Sequence, residues 1–302
     1  MDINFFKKTR ILDGGMGQEL LARGMEPQGT LWSTTALLKE KYHKLLYDTH
    51  IDFIKAGAEV IVTTTFASRK VRLRENKIED KFEYLNKKAG EIARKTKDIY
   101  PDIFIAGGLP PQNLTYKADD RSNDEISEDF YNHAKLLDPY IDFFYFDVIS
   151  SIKELLIAKN CIKEFKKPFL IGAHISKGTK MPSGEKISDI IKCLKSEKLL
   201  GIMLSCVSPE NFQLNLNEIK NLGAPFGFKL NAYIKTNPFP KYEDAQQNKK
   251  MINPKEFLGV RNDLTPKKMA KFAKKFKDEG ATILGGCCET SPAHIKEISK
   301  LV

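Results

Sequence analysis

Near the end of the chain, Gly285-Gly286-Cys287-Cys288 places two thiols side by side after the short apolar run 281–284. Adjacent cysteines seldom bond to each other, because disulfide geometry strains the peptide between them. The two glycines allow a sharp backbone turn just before the pair. The chemistry such a pair invites is soft-metal binding, zinc above all, with further ligands drawn from elsewhere in the chain. The competing reading is that both are small buried hydrophobes, as free cysteine often is.

Further ligands must be brought to the pair by the fold. Short β-rich apolar runs recur at 10–12, 59–64, 103–106, 143–148, 169–173, 201–204, 226–230 and 282–284. Between them lie amphipathic segments, among them 42–56, 82–97, 127–137, 152–165, 187–196 and 266–279. Strand and helix alternating eight times in 302 residues predict an α/β fold, a single-domain (β/α)8 TIM barrel over 1–302. A doubly wound open sheet is the alternative. Its dinucleotide fingerprint is missing, however, since Asp13-Gly14-Gly15-Met16-Gly17 lacks the G-x-G-x-x-G spacing.

Active sites of such barrels lie at the C-terminal ends of the strands. Cys206 follows the sixth run, while Cys287 and Cys288 follow the eighth, so all three thiols are expected on one rim. Cys161 and Cys193 fall within helical segments and read as packing residues. Three protein ligands leave one corner of a tetrahedral zinc open, the mark of a catalytic rather than a structural site. Three cysteinates and Zn²⁺ together carry a net charge of −1, which makes a poor Lewis acid for hydrolysis. Such a centre can still hold an incoming thiol as its thiolate. The matching chemistry is alkyl transfer to sulfur.

The formal charge of +10 raises the question of nucleic acid. Lys267, Lys268, Lys271, Lys274, Lys275 and Lys277 alternate with Met269, Phe272, Ala273 and Phe276 at helical spacing, as on the solvated face of an amphipathic helix. No nucleic-acid-binding motif accompanies them, and no nucleic-acid partner is expected. No apolar run approaches the roughly 18 residues of a membrane span. Met1-Asp2-Ile3-Asn4 opens without a secretory pattern, and the five cysteines form no disulfide framework. A cytoplasmic setting is expected.

Several stretches together resemble the zinc-dependent homocysteine S-methyltransferase family. They are Leu12-Asp13-Gly14-Gly15-Met16-Gly17-Gln18-Glu19-Leu20, Leu31-Trp32-Ser33, Ala56-Gly57-Ala58-Glu59-Val60-Ile61 with Thr63-Thr64-Thr65-Phe66, the lone Cys206, and Gly285-Gly286-Cys287-Cys288. The likeness runs over nearly the whole chain, and the combination is far more specific than any one part. It implies methyl transfer from a cationic donor to the thiolate of L-homocysteine, giving methionine and serving methionine biosynthesis.

By that resemblance Cys206, Cys287 and Cys288 would bind Zn²⁺. Asp13 and Asp147 would hold the amino group of homocysteine, and Gly14 and Gly15 would let backbone N–H groups approach the substrate. Trp32 and Phe66 would face the donor, because aromatic rings attract sulfonium and quaternary ammonium groups. Asp147 stands where relatives often carry glutamate, and Ser205 where they often carry asparagine. The stretch after the seventh run, 232–240, lacks the usual tyrosine-proline-asparagine turn. S-methylmethionine, S-adenosylmethionine, betaine and dimethylsulfoniopropionate all fit as the small donor, betaine least well. The long polar segment 237–265 is expected as a lid or subunit contact, and Ser291 as a helix cap. Rival readings are methylation of another thiol or selenol, or a non-catalytic barrel that binds zinc or thiols.

Overall fold

The apolar runs become the strands of a computed structural model that describes residues 1–235 and 253–302. They are β1 Arg10–Ile11, β2 Val60–Val62, β3 Phe104–Leu109, β4 Phe143–Ile149, β5 Phe169–Ala173, β6 Leu199–Val207, β7 Phe226–Leu230 and β8 Ile283–Gly286. All neighbours pair in parallel, in the order β1-β8-β7-β6-β5-β4-β3-β2. A parallel bridge between Leu12 and Val60 brings β1 to β2 and closes the ring. The architecture is the (β/α)8 barrel, in one domain, with helices on the outside.

Strands buried on both faces must be apolar throughout, which is why they appear as continuous runs rather than as alternation. Phe143, Phe144, Tyr145 and Phe146 of β4 are all fully buried, two facing each way. Inside the barrel, Leu12, Val60, Ala106, Tyr145, Leu170, Met203 and Ile283 pack together. The opening turn Ile3–Lys7 seals the N-terminal mouth: Phe6 is fully buried beside Phe143, and Phe5 beside Phe104, each the first residue of its strand. Burying one such ring contributes about 2–3 kcal/mol.

The helices follow their local signals. Asn123–Leu137 begins four residues before the expected 127, because Ser122 and Glu125 form a reciprocal capping box. Pro266–Asp278 starts at the Thr265 cap with proline in its first turn, and buries Met269, Ala273 and Phe276 while the lysines face solvent. Two segments are shorter than expected. The helix Ile152–Cys161 breaks into a separate 3-10 turn at Lys163–Phe165, and Ile191–Leu194 stops early because β6 begins at Leu199.

Strand β2 also ends early, at Val62 rather than 64. Beyond it, threonine hydroxyls take over from ladder bonds. Gly108 N–H donates to Thr63 Oγ1 at 3.0 Å, and Thr65 Oγ1 donates to the Gly108 carbonyl at 2.7 Å. Of the expected rim segment 237–265, residues 237–252 lie outside the described residues. The helix Pro254–Leu258 then returns across the rim, and Val260 bridges to Tyr233. Among the described residues no helix is long and apolar enough to cross a membrane.

Candidate metal centre and acceptor pocket

Cys206 would point where its neighbours in β6 dictate were the strand regular. Instead the ladder to β7 slips between Ser205 and Val207, leaving Cys206 in a bulge with φ of +55°. A left-handed backbone costs a non-glycine residue about 1–2 kcal/mol. The surroundings hold it there. Asn231 Nδ2 donates to the Cys206 carbonyl at 2.6 Å, and His174 Nδ1 lies 3.0 Å from the Ser205 carbonyl. A second bulge, between Phe146 and Ile149 of β4, gives Val148 a φ of +62° beside Asp147. Trp32 (+44°) and Tyr116 (+64°) share this conformation, and all four line one cavity. Strain of this kind gathers where side chains must be aimed.

The third strand end supplies the cysteine pair. Past Gly286, Cys287 N–H donates to the Leu230 carbonyl at 2.7 Å, and Ala232 N–H to the Cys288 carbonyl at 3.0 Å. The Sγ atoms of Cys206, Cys287 and Cys288 then lie within 4.8 Å of one another, with Cys206 and Cys288 buried and Cys287 half-buried. Cys206 and Cys288 are 3.8 Å apart, sulfur to sulfur. Two thiolates at about 2.3 Å from a tetrahedral ion would be separated by nearly that distance. The donor set therefore fits a soft cation, which these three thiolates would hold.

Cys206 is held well below the ordinary thiol range, first by hydrogen bonds from Cys287 and Cys288 and then by Tyr116, whose Oη is 3.0 Å away. Cys287 and Cys288 are pushed up in return, first by their hydrogen bonds to Cys206. All five cysteines of the chain are free.

The same cavity collects Asp13, Gly14, Gly15, Trp32, Phe66 and Asp147 at the C-terminal strand ends. The Asp13 carboxylate is already engaged: Oδ1 accepts from Lys229 Nζ at 2.8 Å and Oδ2 from Val62 N–H at 2.8 Å. Gly15 N–H donates to the Thr290 carbonyl, and a Cβ there would meet the Cys287 carbonyl at 2.5 Å. The two glycines thus let β1 approach the turn that carries the cysteine pair. Asp147 is half-buried, and burial, with Cys287 nearby, raises its carboxyl to about 7 against the opposing pull of Lys229.

Trp32 and Phe66 form an aromatic corner, ring centroids 6.1 Å apart and nearly perpendicular. The indole lies against Gly17, where any side chain would collide with it, and its Nε1 donates to Gln18 Oε1 at 2.9 Å. Phe66 sits four residues past the end of β2.

Lys229 and Tyr116 are among the cavity residues that escaped the sequence reading. Lys229 is a charged residue inside the apolar strand β7, and that anomaly was the available signal. Its charge is favoured despite burial, because Asp13 first, then Asp147 and Cys287, outweigh the desolvation. Tyr116 reaches Cys206 from a loop well beyond β3 and carries no local signal, whereas Tyr233 joins the cavity from the chain just after β7, where a strand's C-terminal end points to the rim. His174, just after β5, is buried between Ser205 and Ser176, its ring tilted at 42° to that of Tyr116 with centroids 4.3 Å apart, and stays neutral because burial lowers it to about 4. Ser205 turns inward to Tyr145 Oη at 2.5 Å. Ser291 caps the helix Pro292–Ser299.

The family model for homocysteine S-methyltransferases matches residues 10–302. Homocysteine S-methyltransferase 2 of Saccharomyces cerevisiae is 28% identical, covering 98% of this chain and 94% of its own. Selenocysteine methyltransferase of Astragalus bisulcatus is 22% identical, covering 98% and 93%. The crystal structure of the homocysteine methyltransferase MmuM from Escherichia coli, metallated form, superposes with a TM-score of 0.75 at 19% identity, covering 98% of this chain and 96% of that one.

Proposed function

The chain belongs to the homocysteine S-methyltransferase family, and from that premise we propose that it transfers a methyl group from a sulfonium or quaternary ammonium donor to the thiolate of L-homocysteine, with zinc bound by Cys206, Cys287 and Cys288. The observation that carries this reading is the trithiol cluster opening into a cavity with an aromatic wall. Zn²⁺, when bound, would supply the Lewis acidity that keeps the acceptor sulfur ionised near neutral pH.

The chain's own residues do the rest by position and polarity. Trp32 and Phe66 offer ring faces to a cationic donor, whose methyl must lie between the acceptor sulfur and the atom it leaves. Attack of a thiolate on a methyl sulfonium or ammonium forms one S–C bond and breaks another bond to the same carbon. The leaving group is a neutral thioether or amine and needs no proton. Opposite charges are annihilated in that step, so a cavity walled by Trp32, Phe66, Val148, Tyr233 and Leu258 favours it over water. No general base is required. His174, neutral and engaged on both ring nitrogens, serves to fix Ser205 and Tyr116. A reducing cytoplasm suits a site built on free thiols.

The test is methionine formation from homocysteine by the zinc-loaded protein. S-methylmethionine, S-adenosylmethionine, betaine and dimethylsulfoniopropionate would each be offered, with mass spectrometry as readout. Methionine from one of them supports the reading and identifies the donor. Methionine from none, with zinc present at one equivalent, overturns it. Cys206→Ala should lose both the metal and the transfer while keeping its far-ultraviolet circular dichroism.

A further inference from the structure

Lys229 is the cavity's one feature that works against the expected handling of the acceptor. Its Cα lies opposite Gly285 in the parallel register of β7 and β8. Because Gly285 has no side chain, the lysine stem crosses β8 at that point; a Cβ on Gly285 would stand 3.3 Å from Lys229 Cγ. The ammonium thereby reaches Asp13, at the end of β1 on the far side of β8, with Nζ to Oδ1 2.8 Å. Both side chains are almost fully buried, 7% and 2% exposed. The second carboxylate oxygen is taken by Val62 N–H.

Among the described residues lining the cavity, the carboxylates are Asp13 and Asp147. An acceptor ammonium would have to compete for Asp13 with an ammonium that is tethered beside it, and so effectively at very high local concentration. Asp147, set on the bulge of β4, keeps part of its surface open to the cavity. We infer that Lys229 is a specificity-determining residue: it takes Asp13 out of acceptor recognition, leaves Asp147 as the carboxylate that reads the acceptor's α-ammonium, and so makes the protein tolerant of thiols that lack one. Asp13 is then a positioning residue, holding Lys229 and the β1–β2 closure. The inference rests on the homocysteine-type acceptor proposed above.

The experiment compares homocysteine with 4-sulfanylbutanoate, the same molecule without its amino group. Each is titrated calorimetrically, without donor, into the zinc-loaded protein. A single partly exposed ion pair predicts an affinity ratio below about tenfold for the native chain. Asp147→Asn should bring the ratio to about one. Lys229→Met frees Asp13 and should raise it about tenfold or more.

Lys229→Met leaves a buried carboxylate unpaired and could unfold the barrel. The paired variant Asp13→Asn/Lys229→Met avoids this, and should keep the native ratio within about threefold. A ratio that collapses in the paired variant, or stays unchanged in a folded Lys229→Met, overturns the inference, as does failure of both thiols to bind. Binding ratios as expected without methionine formation would instead overturn only the methyl-transfer reading. Methionine formation with the opposite ratios would overturn only the role of Lys229.

Discussion

The hydroxyl of Tyr116 lies 3.0 Å from the sulfur of Cys206, a contact between a loop beyond β3 and the bulge of β6. Burial, and then the nearby Cys206 and Cys288, raise the tyrosine well above its ordinary range, so it stays protonated and donates to the thiolate. Groups that hydrogen-bond to a metal ligand commonly change metal affinity 10–100-fold on removal. Tyr116→Phe should therefore weaken zinc binding by about that factor with the fold intact. Competition against a chromophoric chelator measures it, and unchanged affinity would rule out the role.

Removing the metal should leave the barrel folded, because its hydrophobic core lies between sheet and helices, away from the three thiols. Ligand linkage at 100–1,000 times Kd is worth about 3–4 kcal/mol, or a fall in Tm of about 5–10 °C on chelation. Global loss of circular dichroism at 25 °C on adding chelator would instead mark the site as structural.

Trp32→Leu removes the indole face while keeping an apolar side chain. Cation–π attraction at a desolvated site is worth about 1–2 kcal/mol. The KM for the cationic donor should rise about 5–30-fold, and that for homocysteine should change little. Steady-state kinetics in each substrate separates the two.

Glu154 is fully buried at the start of the helix Ile152–Cys161, and burial raises its carboxyl to about 7 even though Ser151 donates to it at 2.7 Å. The folded state then binds a proton more readily than the unfolded one, so stability falls as pH rises from about 4.5 to 7 and levels off above. A shift of that size corresponds to about 3 kcal/mol. Glu154→Gln should flatten this slope and be the more stable protein at pH 8, read from urea midpoints at pH 5 and 8.

Gly285→Ala tests the lysine's route. The new methyl would meet Leu12 Cβ at 2.9 Å and Lys229 Cγ at 3.3 Å. Overpacking at this point should cost about 1–3 kcal/mol, visible as a lower urea midpoint with an unchanged m-value.

Much of the molecule was legible in the chain, for identifiable reasons. Parallel barrel strands are buried on both faces, so Phe143–Ile149 and Phe169–Ala173 stand out as unbroken apolar runs, and a strand's C-terminal end marks the catalytic rim. That rule was enough to bring Cys206 together with Cys287 and Cys288 across a long separation. Boundaries were less legible where side chains substitute for backbone pairing, as at Thr63 and Thr65, or where a cap lies outside the apolar pattern, as at Ser122.

The sequence by itself determined the strand–helix alternation, the barrel and the identity of the three sulfur atoms, because each depends on residue type and spacing along the chain. Only the tertiary structure decided where those side chains point. The bulges at Cys206 and Val148 arise from slips in register between neighbouring strands, which no single strand encodes. The Lys229–Asp13 pair exists because closure of the ring puts β7 two strands from β1, with a glycine between them. A charge in an apolar strand is visible in the chain; the partner that keeps it there is fixed only when the barrel closes.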